Sequence, residues 1–480
     1  MKVNAIFGAG VAGKSYVVTR QRRLNCYYEN RDDKDKSPIA VYGTPGMALA
    51  GAIGTNVGAS VRGMIGNPNN LFAVVGGIFY QLNPNLSTFY SLPIGTNFGL
   101  VTLATNTNNV QVALVDGTSG YIFTAGALVP IVSAGFPNGA KTITFAAGFF
   151  VAEKPNSQQF QVSAAFDGTT WNPLAFASAS QYSDFLLAVD NLVGNLLLFC
   201  GTHLEFWQNV GTTPQPYAPI LSATVEYGIA AIFSRVHVDN SIIFLARSQQ
   251  GGVKVCRIMG YQVTPISTPD LEAIFATFPT VADCVGLSYD TDKHPMAQLT
   301  FPSANRSFLY DCSTGIWSET QTGLTQNYAA RHLGNLSTFF GGKQYIADST
   351  SNNLYVPSAT QFTDNGAVIK REIITRHQLK DFNLFSIGEL YVDIETGVGL
   401  TSGQGSNPVV GMECSKDNGR TWLTQRTKTI GMQGQYNSSG QRLHFNRWGS
   451  SRVFTFRLCM TDPVKFALTA GATSEGVRAQ

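Results

Sequence analysis

Gly8-Ala9-Gly10-Val11-Ala12-Gly13-Lys14-Ser15 satisfies the phosphate-loop pattern G-x-x-x-x-G-K-[ST] at every fixed position. In a nucleotide site of that kind the glycines let backbone N–H groups cradle phosphates, the lysine reaches the outer phosphates and the hydroxyl holds Mg²⁺. Such a loop must also join a buried strand to a helix within a parallel α/β sheet. Here Tyr16-Val17-Val18-Thr19 follows, a β-branched stretch that resists helix, and the remainder lacks alternating helices. Leu186-Leu187-Ala188-Val189-Asp190 could imitate the apolar strand and Asp that bind Mg²⁺, but such strands are common in any β protein. The string reads as part of a flexible Gly-rich arm, and no nucleotide or other cofactor is assigned to it.

His237 and Asp239 would share one face of a strand at i, i+2 and could offer two metal ligands. No third ligand recommends itself, so the two read as a surface pair and no metal is assigned. Ser415-Lys416-Asp417-Asn418-Gly419-Arg420-Thr421-Trp422 resembles the Asp-box hairpin of sialidases and other β proteins. Asp417 can accept hydrogen bonds from turn amides, Gly419 can supply a positive φ, and Trp422 can pack back over the turn. Phe166-Asp167-Gly168-Thr169-Thr170-Trp171 is a looser echo. The box is a structural staple. A sialidase would add an arginine cluster and a tyrosine nucleophile, and no spacing singles these out. With no Gly-x-Ser-x-Gly, His-Glu-x-x-His or Ca²⁺ loop, the chain offers no catalytic residue and reads as a non-enzyme.

The elements that must position these residues are β-rich. Of 480 residues, 13% are charged and 44% hydrophobic, and 48 are glycine. That is about half the usual charged share, which suits short strands with tight turns and a chain that buries surface against copies of itself. A net charge of +3 is too small for a dedicated nucleic-acid binder, which would cluster Lys and Arg against phosphates. Seven cysteines, none closer than 28 residues to the next, read as reduced, packed thiols rather than a disulfide framework or a zinc site. No run approaches the ~18 apolar residues of a membrane helix. The start, Lys2 followed by Ala5 to Gly13, is too rich in Gly and Ala for a convincing export signal.

Residues 1–37 read as an N-terminal arm, its charged run usually a solvated face and less often a subunit clasp. From 38 to 365 the pattern is strand, turn, strand. Phrases of apolar strand, glycine and aromatic strand recur near 75, 115, 148, 200, 250, 312 and 343. The interval, roughly forty-five residues, is that of a propeller blade, and six or seven blades are expected. One helix is predicted from Pro269 to about Phe278, with Thr268 as cap and Asp270 and Glu272 in its first turn. Residues 366–471 read as a small β-sandwich and 472–480 as a flexible tail. The fold class is therefore all-β, a β-propeller-like domain followed by a C-terminal β-sandwich.

Three segments carry a resemblance. Leu196-Leu197-Leu198-Phe199-Cys200-Gly201-Thr202-His203-Leu204-Glu205-Phe206-Trp207 comes first. Thr264-Pro265-Ile266-Ser267-Thr268-Pro269-Asp270-Leu271-Glu272-Ala273-Ile274 and Phe308-Leu309-Tyr310-Asp311-Cys312-Ser313-Thr314-Gly315-Ile316-Trp317 follow. Their order and spacing resemble the tail-hub or nozzle proteins of short-tailed bacteriophages, also called packaged-DNA stabilisation proteins. Arg23-Leu24-Asn25-Cys26-Tyr27-Tyr28-Glu29 with Thr44-Pro45-Gly46, the stretches 171–179 and 184–189, and Gly228-Ile229-Ala230 are similar to that family too. The string at 8–15 has no counterpart there.

The resemblance implies a structural virion protein, assembled in the host cytoplasm, that forms a hexameric ring below the portal and its adaptor. It implies retention of packaged DNA, an exit conduit for double-stranded DNA without strong binding, and attachment of a tail needle, tailspike or fibres. Arg20, Arg22, Arg23, Tyr27, Tyr28 and Glu29 become expected contacts with neighbouring subunits or the adaptor. No membrane insertion of its own is implied. A carbohydrate-active, sialidase-like propeller and a generic propeller scaffold are the alternatives, separated by glycan turnover and by oligomeric state.

Overall fold

The computed structural model describes residues 10–31, 39–56, 58–106, 110–324, 330–381, 383–436 and 442–477. Strands dominate, and no helix among the described residues is long and apolar enough to cross a membrane. Successive antiparallel sheets occupy 61–93, 102–130, 143–178, 186–219, 227–265, 285–320 and 334–358. Their innermost strands neighbour one another in a closed ring, and the last touches the first. The expected six or seven blades are seven.

Both faces of each blade are covered by its neighbours, so the middle strands are apolar on both faces. Val112 and Leu114 pack with Phe72, Val74 and Phe79 of the first blade. Their strand neighbours Ala113 and Val115 point the other way, onto Ile143, Phe150 and Trp171 of the third. The ring closes through strand β4 (Gly46–Ala52), which forms the outer strand of the seventh blade by pairing with Asn353–Ser358, Leu49 opposite Tyr355. Each innermost strand still ends its own sheet, and closure of the ring shelters that edge between the neighbouring blades. Helix α1 (Pro269–Phe275) is capped by Thr268, whose hydroxyl accepts from the Leu271 N–H at 3.3 Å. It ends one turn before the expected Phe278, because Thr277 and Phe278 donate to the carbonyls of Ile274 and Phe275 in a tighter final turn.

The N-terminal segment departs from the arm reading. Strand β1 (Arg22–Leu24) lies parallel to β5 (Ile316–Thr320) of the sixth blade, with Leu24 opposite Glu319. On its other side it pairs antiparallel with β6 (Arg371–Ile374) of the sandwich, Arg23 opposite Ile373. A ten-stranded sheet thus runs unbroken from blade to sandwich, continuing through β11 (Val453–Met460), β8 (Val409–Ser415) and β9 (Arg426–Thr429). The second sandwich sheet is ordered β2 (Cys26–Asn30), β3 (Ile39–Gly43), β12 (Ala467–Val477), β7 (Phe385–Ile394) and β10 (Arg442–Ser451). So residues 22–30 are core strands rather than an arm, and 39–43 belong to the sandwich rather than the propeller. The apolar residues between the charges, Leu24, Cys26, Tyr27 and Tyr28, are what bury this stretch.

The expected tail is a second correction. Residues 472–477 continue strand β12 of that sheet, paired with β7, with Ala472 opposite Tyr391 and Val477 opposite Phe385. In the sequence this stretch, Ala472-Thr473-Ser474-Glu475-Gly476-Val477, is mostly small or polar and gives little hydrophobic signal. Residues 478–480, and 32–38 of the charged run, lie outside the described residues.

Candidate functional site

The joint between propeller and sandwich gathers the strongest electrostatics. Arg22 donates to Glu319 Oε2 at 2.8 Å and to Glu372 Oε1 at 3.1 Å, with all three side chains buried. Arg306 adds a second cation to Glu319 at 2.9 Å, and Lys370 a second to Glu372 at 2.6 Å. Burial alone would raise the Glu319 carboxyl, but Arg22 and Arg306 outweigh it and hold it below its ordinary value. Arg23 lies flat over the Tyr28 ring, 3.4 Å from its centroid, and burial lowers its pKa. Tyr27 donates to Asp292 Oδ2 at 2.9 Å, and burial pushes its phenol upward.

Four of the six expected contact residues, Arg22, Arg23, Tyr27 and Tyr28, are therefore used inside the chain. They cannot also face a partner. The two half-exposed members remain at the surface. Glu29 pairs with Arg31 at 3.4 Å, and Arg20 stacks over Tyr16 at 4.4 Å. Asn25 is a residue that sequence reasoning missed. At φ 52° its amide donates to the carbonyls of Gln321 and Lys370, and its Oδ1 accepts from the Gln321 N–H. It thus ties blade, β1 and β6 together. Arg371 and Asp364 were missed too. Arg371 is fully buried, and burial pushes Asp364 up to about 7. Asp364 lies in a polar turn sequence and Arg371 between Lys370 and Glu372, so neither carries a local signal of burial.

The string at 8–15 packs as structure, with Gly8 and Ala9 outside the described residues. Gly10 sits so close to β5 that a Cβ there would lie 2.0 Å from the Trp317 carbonyl, and its own carbonyl accepts from the Arg23 N–H. Val11 is buried in the cluster shared by blades five and six. The Lys14 N–H donates to Asp270 at 3.2 Å, a carboxylate where a phosphate would have to sit. No helix follows: 16–18 form a turn. The phosphate-binding reading fails on each count.

The Asp-box hairpin forms as expected between β8 and β9. Asp417 accepts from the N–H groups of Arg420 and Thr421 and from the Ser415 hydroxyl, and its pKa falls to about 2 because these bonds outweigh its desolvation. Gly419 has φ 81° and lies against Arg20, whose Cγ would be 2.5 Å from an added Cβ. Trp422 stacks under Arg457 at 4.4 Å rather than over the turn. In the third blade Asp167 accepts from Thr169, and Trp171 Nε1 donates to the Gly168 carbonyl at 2.7 Å.

His237 and Asp239 do not converge. His237 meets Asp190 at 3.0 Å and Asp239 pairs with Arg257 at 2.6 Å. Asp190, His237 and Arg235 line the axial cavity of the propeller, about 400 Å³, along with Met64, Leu103 and Phe145. Burial would raise Asp190, yet His237 and Arg235 bring it down to about 2. Among the described residues, the charged side chains that line the cavity thus pair with one another.

Comparison with known proteins gives two family matches. Residues 36–361 match the family model described as bacteriophage P22 Gp10, beta-propeller, and residues 370–474 match that described as bacteriophage P22 Gp10, beta-sandwich. No curated protein sequence matches. Among solved structures, the chain is similar to the Neurospora crassa Pan2 WD40 domain at 11% identity, with 67% of this chain and 98% of that one covered and a TM-score of 0.38. It is also similar to the Myceliophteria thermophila Cps50 (Swd1) beta-propeller domain at 8% identity, covering 64% and 98%, with a TM-score of 0.40.

Proposed function

The chain belongs to the bacteriophage P22 Gp10 family of phage structural tail proteins, and from that premise we propose that it is the tail hub of a short-tailed phage. The family is one of virion structural proteins, not enzymes. In the proposed role, copies of the chain form a ring near six subunits that continues the portal–adaptor channel. The ring helps retain packaged DNA, gives it an exit path and seats a needle, tailspike or fibres.

The observation that carries this reading is the order of the two matches, propeller then sandwich, along nearly the whole chain. Two properties support it. Apolar side chains stand exposed on outer blade strands, among them Phe89, Val129 and Leu174, as a subunit needing poorly charged lateral faces would present them. The propeller and sandwich share one continuous sheet, so force on either is carried by backbone hydrogen bonds into the other.

The test is mass by light scattering, for the protein alone and with a portal–adaptor complex. A ring near six subunits, or one that forms only on that complex, is the expected result. A monomer that ignores the complex would overturn the hub assignment.

A further inference from the structure

In the fourth blade, Cys200 ends the strand Asn195–Cys200, and His203 stands in the turn before the strand Leu204–Asn209. Asp184 comes from the loop that precedes the blade's inner strand, Leu186–Leu192. One donor atom from each of the three lies within 4.8 Å of the others. Cys200 and His203 are fully buried, while the Asp184 side chain keeps 19% exposure.

Two buried polar atoms meet at this cluster. His203 Nδ1 faces Asp184 Oδ1 at 2.7 Å, and neither atom has a hydrogen-bond partner. The other ring nitrogen, Nε2, lies 3.1 Å from Glu205 Oε1. A cation seated against Nδ1, Oδ1 and the Cys200 sulfur would satisfy all three.

We infer that Asp184, Cys200 and His203 bind one zinc(II) ion, which fastens the Cys200–His203 turn to the loop that enters the blade. A thiolate, an imidazole and a carboxylate are the donors zinc prefers, at about 2.0–2.3 Å each, and they suit Mg²⁺ or Ca²⁺ poorly. The supporting groups are in place. Glu205 orients the ring of His203 and is itself held by Trp207 Nε1 at 2.8 Å and the Gln181 N–H at 3.0 Å. Asp184 Oδ2 accepts from the Thr202 N–H at 2.6 Å and its hydroxyl at 2.9 Å, which leaves Oδ1 for the metal. Binding converts the Cys200 thiol to thiolate and releases its proton to solvent. The charge formed is balanced by the metal, with no oxidation or reduction.

The test uses the full chain, produced in zinc-supplemented medium and dialysed. Elemental analysis should find about one zinc per chain, and a strong chelator should lower the Tm. Replacement by cobalt(II) should give a thiolate-to-cobalt charge-transfer band that Cys200→Ser abolishes, which assigns it among seven cysteines. Should that buried variant fail to fold, Asp184→Asn at the half-exposed ligand should weaken zinc binding tenfold or more while keeping the band. A wild-type chain that retains no zinc and shows no thiolate–cobalt band would overturn the site.

Discussion

Arg22 binds two carboxylates that the fold brings from 297 and 350 residues away. Removing one partner of a buried ion pair strands the other charge, which costs about 3–5 kcal/mol. Arg22→Ala should therefore lower unfolding stability by about that amount in urea titrations, and adding Glu319→Gln should recover part of the loss. A loss under about 1 kcal/mol would mean that Arg306 and Lys370 suffice. Asp364 makes the opposite kind of prediction. Burial moves it from 3.8 to about 7 on folding, so the folded chain binds its proton more tightly than the unfolded one. Stability contributed here is present below the lower value, falls as pH rises through that window and is flat above it. Glu153, pushed to about 7 by burial, acts in the same sense. Asp364→Asn should flatten part of that decline in stability measured from about pH 4 to 7, and an unchanged slope would show that Asp364 does not titrate there.

At the scale of elements, two segments with weak sequence signals close the structure. Truncation after residue 471 removes the end of β12 and its pairing with Phe385–Tyr391 of β7. We expect rapid proteolysis of the sandwich and a broadened thermal transition, whereas a true tail could be cut without effect. Deleting residues 1–30 removes β1 and β2 and leaves β5 and β6 with bare edges. Calorimetry should then resolve two transitions in place of one. Gly419 is a smaller lever. It combines φ 81° with contact to Arg20, so Gly419→Ala should cost about 1–2 kcal/mol in the left-handed region alone.

For the molecule as a whole, the low charge bears on how DNA would pass it. A net charge of +3 over 480 residues, with Asp190 neutralised by Arg235 and His237 in the axial cavity, leaves little to displace counterions from phosphate. Fluorescence anisotropy with a double-stranded oligonucleotide at physiological salt should show no tight, salt-sensitive binding. Tight binding would count against a channel past which a genome must slide.

The sequence determined the class and much of the layout of this protein. Seven phrases of apolar strand, glycine and aromatic strand each fall within one blade, because tight turns and two-sided burial leave a local signature wherever they occur. The short helix with its Thr268 cap and the Asp417 hairpin are local for the same reason: the groups that satisfy them lie within a few residues. Tertiary structure alone decided the rest. Nothing near Arg22 in the chain announces Glu319 or Glu372, so a buried clasp reads like a solvated charge run. The mostly small or polar stretch 472–477 has no periodicity by which to declare a strand. The closing strand at 46–52 likewise joins the seventh blade to a segment some three hundred residues earlier, which only the closed ring brings together. Long-range pairing is governed by backbone hydrogen bonds and by charge neutralisation in a buried setting, and neither leaves a pattern in neighbouring residues.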